Sequence, residues 1–291
     1  MTVPFRIKGV ASLSEALREM SAFEGSVGVI AGGTDFVRRM RSDEVPCDLL
    51  IDLSQAEGMH YILEEGGWIR IGAGTTFTEI AEHPLIREKA ACLAQAASQV
   101  GSLQIRNRAT IGGNVAGGSP AADSMPPLTV LHAVAVTMAL RRGLPPERAE
   151  EPIHVCGARR HEGEIITEIR FPVPPPHCRT GFIKIGSRTS VSIAKLSMAM
   201  RVHYDAPTST IEEGLIALGA LGEVPLCPDD LRDFLFHRKV DRAFAQEWVE
   251  RLTAVVDSAI PDRESRPYKR SAVRGLALDM LQNLFSFSLD E

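Results

Sequence analysis

The stretch from Gly101 to Pro127 consists mainly of glycine, proline and small polar residues, and it shows neither helical nor strand periodicity. Stretches of this length without periodicity are uncommon in compact domains, where they usually bind something. A disordered linker is the alternative interpretation, but charge is low here and apolar Ile105, Ile111 and Val115 interrupt the run. The sequence therefore predicts a long binding loop within a folded domain.

Composition places the chain among ordinary globular proteins. Of its 291 residues, 44% are hydrophobic and 24% are charged, which excludes the disordered, collagen-like and coiled-coil classes. The length suffices for one large domain or two smaller ones. Because the net charge is -5 and no segment is strongly basic, nucleic acid is not an expected partner.

Nothing in the sequence predicts export or a membrane span. The most apolar run, Val130 to Leu140, is far shorter than the roughly 20 residues that cross a bilayer, and it predicts a buried element. The N-terminus lacks an apolar signal region. An odd number of cysteines without a C-x-x-C motif is typical of reduced thiols; they are Cys47, Cys92, Cys156, Cys178 and Cys227. We therefore expect a cytoplasmic protein without an iron–sulfur cluster of its own.

Local patterns in the first half predict both helices and strands. Ser12 and Glu15 have capping-box spacing ahead of an apolar helical face, and Thr76 and Glu79 repeat this signal. The segments VGVI and LLID predict short strands, and YILEEGGWIRIG predicts a hairpin about its glycine pair. The segment LIREKAACLAQAASQ predicts one Ala-rich helix, and the charged run RRGLPPERAEEP predicts a solvated loop.

The proline-rich segment from Phe171 to Pro176 predicts a domain boundary, because consecutive prolines hold an extended spacer. Beyond it, GFIKIGSR predicts a strand, and FAQEWVERLTAVVDSAI and VRGLALDMLQNLF predict helices. The sequence therefore predicts an α+β fold with mixed sheets, divided into a first domain at residues 1–173 and a second at residues 177–291.

The segment AGGTD directly follows a predicted strand. In such a turn Gly32 and Gly33 can adopt positive φ with their amides pointing inward, and the Thr34 hydroxyl adds a donor, which together make a phosphate cradle. A plain turn is the alternative interpretation. Neither a P-loop nor a complete dinucleotide-binding fingerprint is present, so a Rossmann fold is not expected.

The segment TIGGNVAGGSPAAD combines two glycine pairs with polar side chains at Thr110, Asn114, Ser119 and Asp123. Its glycines also permit close approach of backbone amides to an anionic ligand. Asp123 is either an acceptor for a ribose hydroxyl or the N-cap of the following helix, and the residues alone leave both open. Two such segments in one domain favour a long cofactor that carries a diphosphate.

Motifs for other chemistry are missing from the sequence. No G-x-S-x-G or recognisable Ser/His/Asp order is present, so no catalytic residue is assigned. Histidines and cysteines gather between residues 154 and 178, but their spacing fits no common zinc motif, which favours an ordinary surface loop without metal; they are His154, Cys156, His161, His177 and Cys178.

Taken together, AGGTDF and QIRNRATIGGN resemble the FAD-binding subunit of molybdenum hydroxylases, a family that includes the flavin subunits of bacterial xanthine, nicotinate and carbon monoxide dehydrogenases. RIGAGTTFTEIAEHPLIR, AASQVGS, GEIITEIRFP and SRTSVSIAKLSMAM also resemble family segments in the same order. The resemblance covers nearly the whole chain. It implies a flavin domain of the vanillyl-alcohol-oxidase (PCMH) type with two α+β subdomains, split near residue 57, followed by a smaller C-terminal α+β domain.

The resemblance also implies the residues that contact FAD. The first FAD loop corresponds to Val29, Ile30, Ala31, Gly32, Gly33, Thr34, Asp35 and Phe36, and the second to Thr110, Ile111, Gly112, Gly113 and Asn114. Further implied contacts are Val100, Gly101, Asp123, Ile166 and Lys195. Lys195 is an ordinary surface lysine in the alternative interpretation. The chain departs from many relatives at Ile183, where they carry Tyr, and in a shorter stretch between Arg142 and Gly163.

The function implied by the resemblance is electron transfer within a multi-subunit enzyme. A molybdenum-cofactor subunit hydroxylates the substrate, [2Fe-2S] clusters on another subunit carry the electrons, and FAD on this chain passes them to NAD+ or another acceptor. Two other hypotheses remain. One is a self-contained FAD-dependent oxidase of the same superfold, and the other is a nucleotide-binding scaffold without enzymatic activity.

Overall fold

The N-terminal part of the chain forms a small parallel sheet with two helices. We describe a computed structural model that covers residues 6–40, 47–158, 163–188 and 191–287. Strands β1 (Arg6–Gly9), β2 (Val27–Ile30) and β3 (Leu49–Asp52) lie in the order β1-β3-β2, with helices α1 (Leu13–Ala22) and α2 (Phe36–Met40) between them. Ser12 caps α1 by accepting from the amide of Glu15 at 3.2 Å. The predicted strands and first helix are confirmed.

A five-stranded antiparallel sheet follows in the order β4-β5-β8-β6-β7. Its strands are β4 (Ile62–Glu65), β5 (Trp68–Gly72), β6 (Val134–Ala139), β7 (Glu147–Pro152) and β8 (Glu164–Pro172). The hairpin between β4 and β5 turns at Gly66 and Gly67, both with positive φ, as predicted. The capping box of Thr76 and Glu79 is also confirmed.

Seven helices lie between the strands of this sheet along the described chain: α3 (Phe77–Glu82), α4 (Pro84–Lys89), α5 (Ala91–Ser98), α6 (Leu103–Arg106), α7 (Ile111–Ala116), α8 (Met125–Val130) and α9 (Ile153–Cys156). Three predictions are therefore wrong. The stretch 101–127 is not one long loop, because it contains α6, α7 and the start of α8. The Ala-rich helix breaks at Ala90 into two helices. The charged run 141–152 ends in edge strand β7 rather than staying a loop.

The C-terminal part forms an antiparallel sheet in the order β12-β11-β10-β9, covered by three helices. Its elements are β9 (Cys178–Gly186), β10 (Ala194–Asp205), β11 (Thr210–Gly219), α10 (Asp229–Leu235), β12 (Arg238–Lys239), α11 (Arg242–Ala259) and α12 (Arg266–Phe285). The predicted strand and helices of this half are confirmed. Each described sheet is either wholly parallel or wholly antiparallel, so the expected mixed sheets are not found in the described part.

The two faces of β10 enter different cores, because successive side chains of a strand point to opposite faces. Its even-numbered apolar residues, among them Met198 and Met200, pack in one cluster with α11 and α12. Ala199 instead joins the cluster of the N-terminal part, together with Phe182 of β9 and Ala217 of β11. The C-terminal sheet therefore completes the core of the preceding part while carrying its own on the other face.

Three hydrogen bonds join helix α5 and the turn after it to alternate residues of β9. The amide of Cys92 donates to Thr180 Oγ1 at 3.1 Å, and the amide of Phe182 donates to Gln95 Oε1 at 2.7 Å. Lys184 Nζ donates to the carbonyl of Gln99 at 2.8 Å. Residues three and four apart lie on one face of a helix, and residues two apart lie on one face of a strand, so the three bonds join one face of each element. This contact sets the position of Lys184 relative to the preceding part of the chain.

Candidate functional site

The loop of residues 31–35 connects strand β2 to helix α2 and presents unbonded backbone amides. Within the described part of the chain, the N–H groups of Gly32, Gly33, Thr34 and Asp35 donate to no protein acceptor. Gly33 has φ of +73°, a conformation that residues with a side chain rarely adopt. The loop is therefore a cluster of free donors, which is the arrangement that binds anionic groups.

The two glycine-rich segments of the sequence lie against each other. A Cβ atom built on Gly32 is 1.8 Å from the carbonyl oxygen of Arg108, so only glycine allows this approach of two backbones. Arg108 directly precedes Ala109 and Thr110, where the second segment begins. The structure thus brings the first loop to the start of α7.

Helix α7 is fixed by contacts to the loop that follows β5. Gly112 donates to the carbonyl of Ala73 at 2.9 Å, and Ile111 donates to the carbonyl of Thr75 at 3.0 Å. The Thr110 hydroxyl caps the helix by accepting from Gly113 at 3.2 Å. The amides of this segment are therefore used inside the protein, contrary to the expectation that they approach a ligand. The side-chain oxygens of Thr110 and Asn114 also accept hydrogen bonds within the protein.

A buried ion pair lies next to α7. Lys184 Nζ is 2.6 Å from Asp123 Oδ2, and the two side chains are 7% and 9% exposed. The neighbouring hydroxyl of Ser124 donates to Asn114 Oδ1 at 2.6 Å, which ties Asp123 to the second segment. The alternative interpretation of Asp123 as a helix N-cap is wrong, because Ser124 is the N-cap of α8 and the Asp123 carboxylate bonds Lys184.

The second carboxylate oxygen of Asp123 has no partner. Oδ1 is fully buried and makes no hydrogen bond within the described residues. Burial raises the pKa of Asp123 to about 6, although Lys184 acts in the opposite direction. A buried polar atom without a partner is costly, so this oxygen is suited to accept a hydrogen bond from a ligand hydroxyl.

The remaining residues implied by the resemblance lie at different distances along the chain from the residues that contact the ion pair of Asp123 and Lys184. Val100 and Gly101 follow Gln99, whose carbonyl accepts from Lys184. Ile166 is buried in β8, next to Thr167, whose carbonyl accepts from the amide of Ala73. Lys195 is exposed on β10, and its ammonium lies 4.9 Å from the ring centroid of Tyr268.

Lys184 is the site residue that the sequence analysis missed. A signal was available in GFIKIG, since a lysine between apolar residues of a strand shares its face with Phe182 and Thr180. That face is buried against α5. A lysine at a buried position needs a carboxylate partner, and Asp123 provides it.

Two classes of site find no support within the described residues. No group of three or more His, Cys, Asp or Glu side chains there could hold a metal ion, and His161 of the candidate cluster lies outside the described residues. No helix in the ranges that we describe is long and apolar enough to cross a membrane. The five cysteines, all within the described ranges, form no disulfide bond.

Comparison with known families identifies the cofactor of the chain. The model of the FAD binding domain in molybdopterin dehydrogenase matches residues 4–174, and that of the CO dehydrogenase flavoprotein C-terminal domain matches residues 182–284. The chain belongs to this family. FAD is therefore its cofactor, and the resemblance seen in the glycine-rich motifs is confirmed. The α+β fold with an FAD-binding part and a smaller C-terminal part is confirmed as well.

Individual relatives match over most of their length. The nicotinate dehydrogenase FAD-subunit of Eubacterium barkeri is 32% identical over 268 residues, which cover 88% of each chain. The putative xanthine dehydrogenase FAD-binding subunit of Escherichia coli is 27% identical over 225 residues, 74% of each chain. Carbon monoxide dehydrogenase of Hydrogenophaga pseudoflava contains a chain of the same fold, with a TM-score of 0.82, 22% identity and coverage of 95% and 96%.

The residues present fit an FAD molecule. The free amides of the first loop suit a diphosphate, and the unpartnered Asp123 oxygen suits a hydroxyl. A bound FAD supplies the redox chemistry, while the protein supplies position and electrostatics. This division of labour explains why the sequence contains no catalytic triad.

Proposed function

We propose that the chain is the FAD-carrying electron-transfer subunit of a multi-subunit molybdenum hydroxylase. Its partners are a subunit with the molybdenum cofactor and a subunit with [2Fe-2S] clusters, and FAD on this chain passes the electrons to NAD+ or another acceptor. The observation that carries the proposal is the match of nearly the whole chain to FAD subunits of dehydrogenases. The two matched models, those of a molybdopterin dehydrogenase FAD domain and a CO dehydrogenase flavoprotein domain, favour this proposal over a self-contained oxidase.

In this proposal the protein groups have separate tasks. The amides of residues 32–35 bind the diphosphate, and Asp123 Oδ1 accepts from a sugar hydroxyl of FAD. Lys184 holds the Asp123 carboxylate in place from the C-terminal sheet. Thr110 caps α7 and Asn114 binds Ser124, so both position the second segment beside Asp123. The other residues carried over from the family, Lys195 among them, stay predictions.

An absorption spectrum of the purified chain tests the cofactor. We expect two flavin bands between about 350 and 500 nm, and heat should release FAD rather than FMN. Partner subunits that co-purify should add iron–sulfur absorbance. A colourless chain that stays colourless with added FAD would contradict the proposal and favour the scaffold hypothesis.

The electron acceptor requires its own experiment. Under anaerobic conditions, NADH should bleach the flavin absorbance of the FAD-loaded chain if NAD+ is the natural acceptor, because hydride transfer runs in both directions. We expect bleaching with NADH. Bleaching by dithionite alone would remove NAD+ from the proposal and leave another acceptor.

A further inference from the structure

A cavity of about 440 Å³ opens on the C-terminal sheet, far from the flavin site. It is lined from β9, β10, β11, α10 and the turn after α8, with the polar side chains of His132, Cys178, Arg201, His203, Glu213 and Arg232 among its walls. Cys178 precedes Lys184 by six residues on strand β9, which is about 20 Å along the strand. The cavity is therefore separate from the Asp123 site.

The polar groups of the cavity stand in a row across three strands. His203 of β10 lies directly opposite Cys178 of β9 and Glu213 of β11. Directly paired residues share one face of a sheet, and Arg201, two residues before His203, shares it too. This is the face turned away from α11 and α12. The side chains of Cys178, Arg201, His203 and Glu213 therefore lie on one face of the sheet at the cavity.

Neither metal binding nor nucleophilic catalysis fits this row. No metal-binding group of three side chains exists among the described residues. Burial raises the pKa of the Cys178 thiol and outweighs the opposing effect of Arg201, while Glu213 adds to the rise, so the thiol stays protonated at neutral pH and is a poor nucleophile. The remaining role for these groups is recognition of a ligand.

The charges at the cavity are of two kinds, paired and unpaired. Arg232 forms ion pairs with Asp229 at 3.4 Å and Asp233 at 3.8 Å. Arg201 and Glu213, in contrast, make no hydrogen bond or ion pair within the part of the chain that the structure describes. They are diagonal neighbours on adjacent strands, because Arg201 faces Leu215 and Glu213 faces His203; such neighbours are about 7–8 Å apart. One cation and one anion therefore border the cavity together.

We propose that this cavity binds a small zwitterion of the α-amino acid class. The carboxylate of the ligand pairs with the Arg201 guanidinium, whose planar fork matches a carboxylate. The ammonium group pairs with Glu213. Leu215 and Phe236, the latter 58% exposed, form an apolar wall for the side chain of the ligand. The cavity volume lies within the range of small-molecule sites.

Isothermal titration calorimetry of the full chain loaded with FAD tests the charge requirement. The probes are L-phenylalanine, 3-phenylpropionate, which lacks the ammonium group, and 2-phenylethylamine, which lacks the carboxylate. We expect L-phenylalanine to bind and each analogue to bind at least roughly tenfold more weakly, since each loses one charge-assisted contact. Equal affinities for the three probes, or no binding of L-phenylalanine, would overturn the proposal.

Substitutions locate the binding site. Arg201→Met and Glu213→Gln should each weaken binding of L-phenylalanine at least roughly tenfold, whereas Arg274→Met and Glu250→Gln, at exposed positions of α12 and α11, should leave it unchanged. The flavin absorbance of every variant should stay as in the wild type, which separates this proposal from that of the FAD site. Unchanged affinity in the Arg201 variant would place the ligand elsewhere and overturn the assignment.

Discussion

At the scale of single residues, the proposed flavin site depends on one carboxylate whose two oxygens differ. Oδ2 of Asp123 pairs with Lys184, whereas Oδ1 is buried without a partner. Burial outweighs the ion pair and raises the pKa of Asp123 to about 6 from 3.8. A buried oxygen without a partner lowers the stability of the protein without ligand, and a bound ligand can supply the missing hydrogen bond.

The raised pKa predicts a pH dependence of stability. Between about pH 4 and about pH 6 the folded protein keeps a proton on Asp123 that the unfolded chain releases. Without FAD, the free energy of unfolding should therefore fall as the pH rises through this window. In urea titrations, Asp123→Asn should flatten the dependence of the unfolding free energy on pH in this window. Asp279→Asn, an exposed change on α12, should leave that dependence unchanged. A curve that keeps its slope in the Asp123 variant would contradict the assignment.

Gly33 allows a second test at this scale. Gly33→Val places a branched side chain at φ of +73° within the loop of free amides, so it should both strain the backbone and exclude FAD. Gly143→Val is the matched control, because Gly143 has φ of +79° in the turn between β6 and β7. Both variants should lose about 1–3 kcal/mol of stability. FAD titration should show lost binding for the Gly33 variant alone, and equal FAD affinity in the two would refute the loop's role.

At the scale of elements, the sequence predicted those helices and strands whose signals lie in neighbouring residues. The starts of α1 and α3 were predictable because Ser12 and Thr76 cap the chain that follows them directly. Helices α6 and α7 escaped prediction because four to six residues are too short to show periodicity. Lys184 escaped for a different reason: its carboxylate partner is 61 positions away in the sequence, and the packing of α5 and α8 on the C-terminal sheet brings the two together.

The contact between α7 and the loop after β5 can be tested with a pair of glycine variants. A Cβ atom on Gly112 is 2.6 Å from the Cβ of Ala73 and 2.8 Å from its carbonyl oxygen. Gly112→Ala should therefore destabilise the protein by about 1–3 kcal/mol. Gly275→Ala meets nothing within 4 Å on helix α12, and it should stabilise by about 0.5–1 kcal/mol. Thermal melts of both variants check the opposite signs, and a tolerated Gly112→Ala would mean that the two segments are not in close contact.

At the scale of the whole molecule, the C-terminal sheet and the preceding part are joined by the hydrogen bonds between α5 and β9. Gln95→Met removes the acceptor of the Phe182 amide and should cost about 1–3 kcal/mol in urea unfolding. Gln99→Met is the control, because the bond to Lys184 uses the Gln99 backbone carbonyl. The substitution removes only a long 3.3 Å bond from the Gln99 side chain to the Gln95 carbonyl, so its loss of stability should be smaller. Equal losses in the two variants would show that side-chain volume, rather than this hydrogen bond, matters at the contact.

The two faces of β10 have a consequence for how such a chain changes over evolutionary time. Substitutions at Met198 or Met200 must be compensated by α11 and α12, whereas those at Ala199 or Arg201 must be compensated by the other side of the sheet. The two sets of compensating changes do not overlap. We therefore expect related chains to differ in the ligand that binds beside Arg201 while they keep the packing of α11 and α12 on the opposite face of the sheet.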